Sequence, residues 1–213
     1  WKTLFQPIWY LLLALLFQWG VAIQDLKLGR WFKGRMRKGE LAQRAAPFLR
    51  KARGQLAKDY LLFPLLGFWN WPRILLGNAL ANLLRNLWTN AIIFCGHFTL
   101  DAQVYSKAEV ADESRGAWYL RQIQGSGNLE GGRWFHRLTG HLSHQIEHHL
   151  FPDIPAPRYV EMAPQVREIC ARYGVRYNSA GFWRQYLGVL WRILRHALPL
   201  DRRPVREAAN AGA

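Results

Sequence analysis

The sequence predicts an all-α protein, with integral-membrane helices and a cytosolic helical cap that carries a histidine-rich run. Three observations lead there. Apolar blocks, one of them about the 20 residues that a spanning helix needs, alternate with strongly basic blocks. Half of the residues are hydrophobic, with 11 Trp, yet mean hydropathy is only −0.16 because Lys and Arg are also plentiful. Four of the 7 histidines fall between His141 and His149, three and four residues apart, which is helical spacing.

The net charge of +15 fits either nucleic acid or an anionic lipid surface. The basic residues lie beside Trp and Leu runs and no nucleic-acid motif appears, so membrane lipid is the expected partner and nucleic acid is not. Cys95 and Cys170 form no C-x-x-C and no disulfide framework, which fits a reducing compartment. No secretory signal is recognisable. A chain that opens at Trp1 inside an apolar pattern reads as part of something longer.

In chain order, residues 4–23 form an apolar run interrupted by Gln6 and Gln18, with Trp9, Tyr10 and Trp19 placed like interfacial aromatics. One spanning helix is expected. Residues 25–58 then carry eleven Lys and Arg, among them Lys27, Arg37, Arg50 and Lys58, with Phe48, Leu49 and Leu56 at roughly helical spacing. This segment predicts a basic amphipathic helix on lipid headgroups, on the cytoplasmic side by the positive-inside rule. Residues 60–96 turn apolar again. Ile74–Phe94 has the length to span, whereas Tyr60–Trp71 is too short and is expected to complete a hairpin.

His97 follows that apolar run at once, and an ionisable side chain at such a depth needs a partner. Residues 97–198 form the cap. Polar turns at Gly125–Asn128 and Gly131–Gly132 lead to the histidine run, read as a helix from Gly140 that Pro152, Pro155 and Pro157 bring to an end. Helices are then expected at Arg158–Tyr173, stopped by Gly174, and at Phe182–Leu198, an aromatic and basic helix suited to a membrane surface. Residues 199–213 read as a disordered tail.

On a helix, Gln145 lies one turn before both His148 and His149, while His144 sits above His148 and His141 above His144. Neutral imidazole suits iron, zinc or copper. Adjacent histidines beside a third ligand suit a site of more than one metal ion. Zinc is disfavoured by the lack of a Cys pair and of H-E-x-x-H.

The eight residues Gln145-Ile146-Glu147-His148-His149-Leu150-Phe151-Pro152 resemble the third histidine box of membrane fatty-acid desaturases, in the subgroup where Gln replaces the first His of H-x-x-H-H. The resemblance implies an integral-membrane oxidoreductase with two iron ions and dioxygen as co-substrate, which introduces a double bond into an acyl chain carried as acyl-CoA or acyl-lipid. It implies Gln145, His148 and His149 as metal ligands. His97 is similar to the family's ligand just after its last membrane helix. His144 and His141 are weaker candidates. Glu147, Asp153 and Asp101 are candidate supporting acids, and Gln122, Ser126 and Asn128 are similar to the family's polar stretch before that box.

The active-site face is expected in the cytoplasm. No ferredoxin-like Cys set or haem domain is present in these residues, so a separate electron donor, such as a ferredoxin or a cytochrome, is implied. The family's first two boxes have no counterpart, since no histidine precedes His97. The chain therefore reads as a C-terminal desaturase fragment, inactive on its own. The alternatives are a related di-iron membrane hydroxylase and a non-catalytic basic membrane protein that keeps a relic box.

Overall fold

A computed structural model describes residues 3–198. The predicted disordered tail, 199–213, lies outside the described residues. Two compact units form among the described residues: one is residues 10–90, the other residues 91–198 together with 3–9.

The chain begins with α1 (Gln6–Leu15) and α2 (Phe17–Asp25), then a short α3 (Leu28–Phe32) and the long basic α4 (Lys38–Ala57). A π-helical turn, Lys58–Leu62, leads into α5 (Phe63–Leu66), and a 3-10 turn at Phe68–Asn70 leads into α6 (Trp71–His97). Residues 4–23 do not form the one continuous helix expected of them but a bent pair. α1 and α2 meet at Leu16 with a bend of 105°. A helix break frees backbone groups that need new partners. Here Asn86 serves both sides: its Nδ2 donates to Leu15 O at 2.9 Å, and its Oδ1 accepts from the Gln18 N–H at 3.3 Å.

Asn86 belongs to a polar row on α6, with Asn78, Asn82 and Asn90 at intervals of four residues. Residues four apart share a helix face. Asn78 Nδ2 donates to Asp59 O at 2.5 Å, and Asn82 Nδ2 donates to Tyr60 Oη at 3.0 Å, so the row also binds the π turn, through one backbone carbonyl and one side-chain hydroxyl. At 27 residues α6 is long enough for a bilayer, but this row with Arg73 and Arg85 dilutes its hydropathy. Among the described residues no single helix is long and apolar enough to cross a membrane; only α1 and α2 taken together pass by length and composition.

The second unit continues through α7 (Arg115–Gln124), β1 (Asn128–Glu130), α8 (Arg133–Leu138), α9 (Gln145–Leu150), α10 (Tyr159–Arg172), β2 (Ser179–Gly181) and α11 (Phe182–Ala197). Ser114 caps α7, its Oγ accepting the Ala117 N–H. α10 stops where Gly174 takes φ +64°, as its sequence predicts. The protein is mostly helical, but β1 and β2 pair in parallel, Leu129 opposite Ala180. Strands of three residues carry no usable periodicity, so the all-α reading misses them.

Two apolar clusters hold this unit. Ile92, Cys95, Leu129 and Val189 join α6, β1 and α11. Ile146, Leu150, Val166 and Cys170 join α9 to α10. Leu150→Met, a swap of similar volume in the second cluster, is expected to cost less than about 1.5 kcal/mol in a thermal unfolding measurement.

Candidate metal centre

The histidine run folds differently from the continuous helix that its spacing predicts. Gly140 and His141 both take positive φ, +60° and +62°, so the chain turns left-handed there. His144 also lies outside helical geometry, with φ −102° and ψ 61°. Helix α9 therefore starts at Gln145, and the stripe shrinks to Gln145, His148 and His149. His141 and His144 associate with His136 instead. The His144 and His136 rings lie 4.6 Å apart, and the His141 N–H donates to His136 O at 2.7 Å. His136 Nδ1 in turn meets Ser143 Oγ at 2.8 Å.

The end of α6 meets this short helix. Gln145 Nε2 lies 3.2 Å from His97 Nε2 and 3.2 Å from His149 Nε2. The His97 and His149 rings stand edge to face, 4.9 Å between centroids. Three side chains from segments 48 residues apart thus converge on one point. Gly96 makes the approach possible, because a Cβ built there would sit 2.8 Å from Gln145 Cγ. His148 Nδ1 is 3.3 Å from the hydroxyl of buried Tyr159, whose own proton goes to Phe151 O at 3.3 Å. Nδ1 then acts as the donor, which leaves the Nε2 lone pair of His148 open to a metal.

Several polar atoms here lack hydrogen-bond partners. Gln145 Oε1, His141 Nδ1 and both ring nitrogens of His144 are buried without a hydrogen bond. Such groups cost free energy unless something else satisfies them. Amide oxygen and nitrogen exchange places on a simple flip, so Gln145 can offer its oxygen at the position that Nε2 takes. Among the described residues no cluster of three or more His, Cys, Asp or Glu is arranged to hold a metal ion. The convergent set is two imidazoles and an amide. Two imidazoles with an oxygen donor suit a first-row metal such as iron, and the unpartnered Gln145 Oε1 fits that role.

Of the candidate supporting acids, Glu147 is fully buried and bonded to Asn128 and Tyr177. Asp101 is drawn off into an ion pair with Arg176 at 2.7 Å. Asp153 lines an open groove with Arg115 and Trp118. Tyr159 and Tyr177 carry no sequence signal, since a tyrosine beyond the box looks like any core aromatic.

Burial lowers the pKa of His149 from 6.5 to about 4, helped by the neighbouring His97 and His148. Burial does the same to His144, with His136 and His141 adding to it. Both imidazoles stay neutral at pH 7, the form that binds metal. The sign for stability follows. The unfolded chain binds more protons below its ordinary histidine pKa, so this contribution is complete above about pH 6.5 and is lost as pH falls towards 4. Thermal melts of the metal-free protein should be level above pH 7 and decline between pH 6.5 and 4.

The profile of the family described as fatty acid desaturase matches residues 1–181. The chain belongs to the fatty acid desaturase family. Its relatives in that family include the NADPH-dependent stearoyl-CoA 9-desaturase of two Mycobacterium tuberculosis strains, each 42% identical over 216 residues, covering 99% of this chain and 50% of the relative. Human fatty acid desaturase 3 is 31% identical over 117 residues, covering 55% of this chain and 24% of that protein. The chain thus spans about half the length of the mycobacterial relatives. No solved structure gives a significant match. Within this desaturase-family chain the box helix, the end of α6 and the C-terminal helices α10 and α11 fall in one compact unit.

Proposed function

We propose that the protein is a membrane fatty acid desaturase, and that this chain supplies His97, Gln145, His148 and His149 to a di-iron centre. The observation that carries the reading is the meeting of His97 with the Gln145–His149 turn, in a chain of this family. An iron pair supplies, with dioxygen as co-substrate, the oxidising power against an alkyl chain that amino-acid side chains lack. His97 and His149 face Gln145 through Nε2, and Tyr159 orients His148 so that its Nε2 is the free nitrogen. Four ligands do not complete a two-iron site, so the centre needs others besides these. The two weaker candidates, His144 and His141, are drawn towards His136.

The substrate is an acyl chain, as acyl-CoA or acyl-lipid. The names of the mycobacterial relatives favour the CoA form and NADPH as the source of electrons, delivered through a separate carrier such as a ferredoxin or a cytochrome. We assign residues 4–23 and 60–96 to the bilayer, 25–58 to its headgroups and 97–198 to the cytoplasmic side. Exposed Leu11, Leu65, Phe68 and Trp69 support this, because large apolar side chains left bare call for lipid or protein cover. The basic α4 supports the cytoplasmic orientation.

The test is to purify the full-length protein, measure its iron, and incubate it with stearoyl-CoA, NADPH and an electron-transfer partner. An unsaturated product with bound iron is expected. An alcohol would move the reading to a hydroxylase, and no iron with no product would leave a non-catalytic membrane protein.

A further inference from the structure

The proposed ligands come from two separate segments, and a buried polar hub at Asn128 joins them. On one side the Gly127 N–H donates to Gly96 O at 2.9 Å, beside His97. On the other the Leu129 N–H donates to Ser143 O at 2.8 Å, just before the box helix. The Asn128 side chain reaches further. Its Oδ1 accepts the Ile146 N–H at 2.8 Å, in the first turn of a helix whose own N-cap residue makes no side-chain bond. Its Nδ2 donates to Glu147 Oε2 at 2.7 Å and to Tyr177 Oη at 2.6 Å, and Tyr177 Oη donates to Glu147 Oε1 at 2.8 Å. The triangle uses both protons of the amide and both oxygens of the carboxylate.

The hub also ties back to α6. The Asn128 N–H donates to Asn178 O at 2.8 Å, and Asn178 Nδ2 donates to Thr99 Oγ1 at 2.8 Å, two residues beyond His97. Gln185 Nε2, from α11, closes the set on Asn178 Oδ1 at 3.1 Å. Every member but Tyr177 is buried, Glu147 and Thr99 at 0% exposure. A satisfied buried network of this kind is stiff, and a partly satisfied one is costly.

Glu147 sits between Ile146 and His148, so a clamp on its carboxylate sets the rotation of α9 about its own axis. Side-chain tips lie ~5–6 Å from a helix axis, so a rotation of ~10° moves them by about 1 Å. Metal–ligand distances tolerate only about 0.2 Å. Slack in the clamp is therefore expressed at His148 and His149.

We propose that Asn128 and Tyr177 are positioning residues which, through Glu147, hold the box helix in register with the His97 end of α6. This rests on the metal-centre reading above. A polar core that serves folding alone is the competing account, and it would leave iron affinity unchanged in any variant that folds.

The experiment compares wild type with Tyr177→Phe and Glu147→Gln in the full-length protein. It reads ferrous-iron affinity by chelator competition, the Mössbauer spectrum of bound iron, and the melting temperature of the iron-free form. Tyr177→Phe should bind iron ~10-fold or more weakly, within the roughly 10–100-fold range for such outer partners, with an altered spectrum. Glu147→Gln keeps shape and one acceptor, so it should fold and fall between wild type and Tyr177→Phe. It carries the test if Tyr177→Phe does not fold. A lowered melting temperature with wild-type affinity and spectrum in the folded variants would overturn the positioning role while leaving the metal centre standing. A wild type that binds no iron would overturn the metal centre, and this inference with it.

Discussion

His148→Ala in the full-length protein should abolish turnover and strip iron from the centre. The expectation rests on how the side chain is held. Its Nδ1 faces the Tyr159 hydroxyl, which is anchored on Phe151 O, and this leaves Nε2 open. Losing an outer partner of a metal ligand costs roughly 10–100-fold in affinity or activity, and losing the ligand itself costs more. The change should do little harm to the fold, because the buried side of α9 is made by Ile146, Glu147 and Leu150. Iron analysis and product chromatography on a folded variant are the checks. Full activity with normal iron would remove His148 from the centre.

Gly96→Ala should damage the same centre from the opposite side. The added Cβ would stand 2.8 Å from Gln145 Cγ, closer than Cβ contacts come, and 3.1 and 3.2 Å from its Cδ and Oε1, which are tight. The Gly96 backbone has little freedom to retreat, since its carbonyl is bonded to the Gly127 N–H. Gln145 must swing, and its amide then leaves the 3.2 Å contacts with His97 and His149. A fall of ~10-fold or more in iron affinity is expected, at the scale of a lost outer partner, although no ligand has been replaced. Gly77→Ala is the control. It lies on the same helix with nothing within 4 Å of its Cβ position, and it should keep full iron affinity. Equal iron binding by Gly96→Ala and wild type would show that Gln145 need not stay where it is.

The box and the helices around it were legible for different reasons. Gln145, His148 and His149 are neighbours on one turn of helix, a relation carried by spacing alone, and α9 has it. The helix limits near Gly174 and Phe182 follow from local backbone preference, and they too match. The helical stripe through His141 and His144 fails because two consecutive residues of positive φ unwind it, and a non-glycine residue in that region leaves no pattern in a sequence. The break at Leu16 was hidden in the same way. The apolar run is continuous there, and what sustains the bend is a side chain of Asn86, about 70 residues away.

By itself, then, the sequence determines a mostly helical desaturase-family chain with a Gln-x-x-His-His turn, an apolar and basic alternation, and His97 at the end of a long helix. Those properties are local: they depend on periods of three to four residues and on composition over a helix length. Only the tertiary structure decides that His97 meets Gln145, that His141 and His144 turn towards His136, and that Asn128 and Tyr177 grip Glu147. Each of these is a hydrogen bond or a ring contact between separate turns or segments, up to 49 residues apart. Which buried donor finds which acceptor is settled by packing, since a core must satisfy its polar groups all at once.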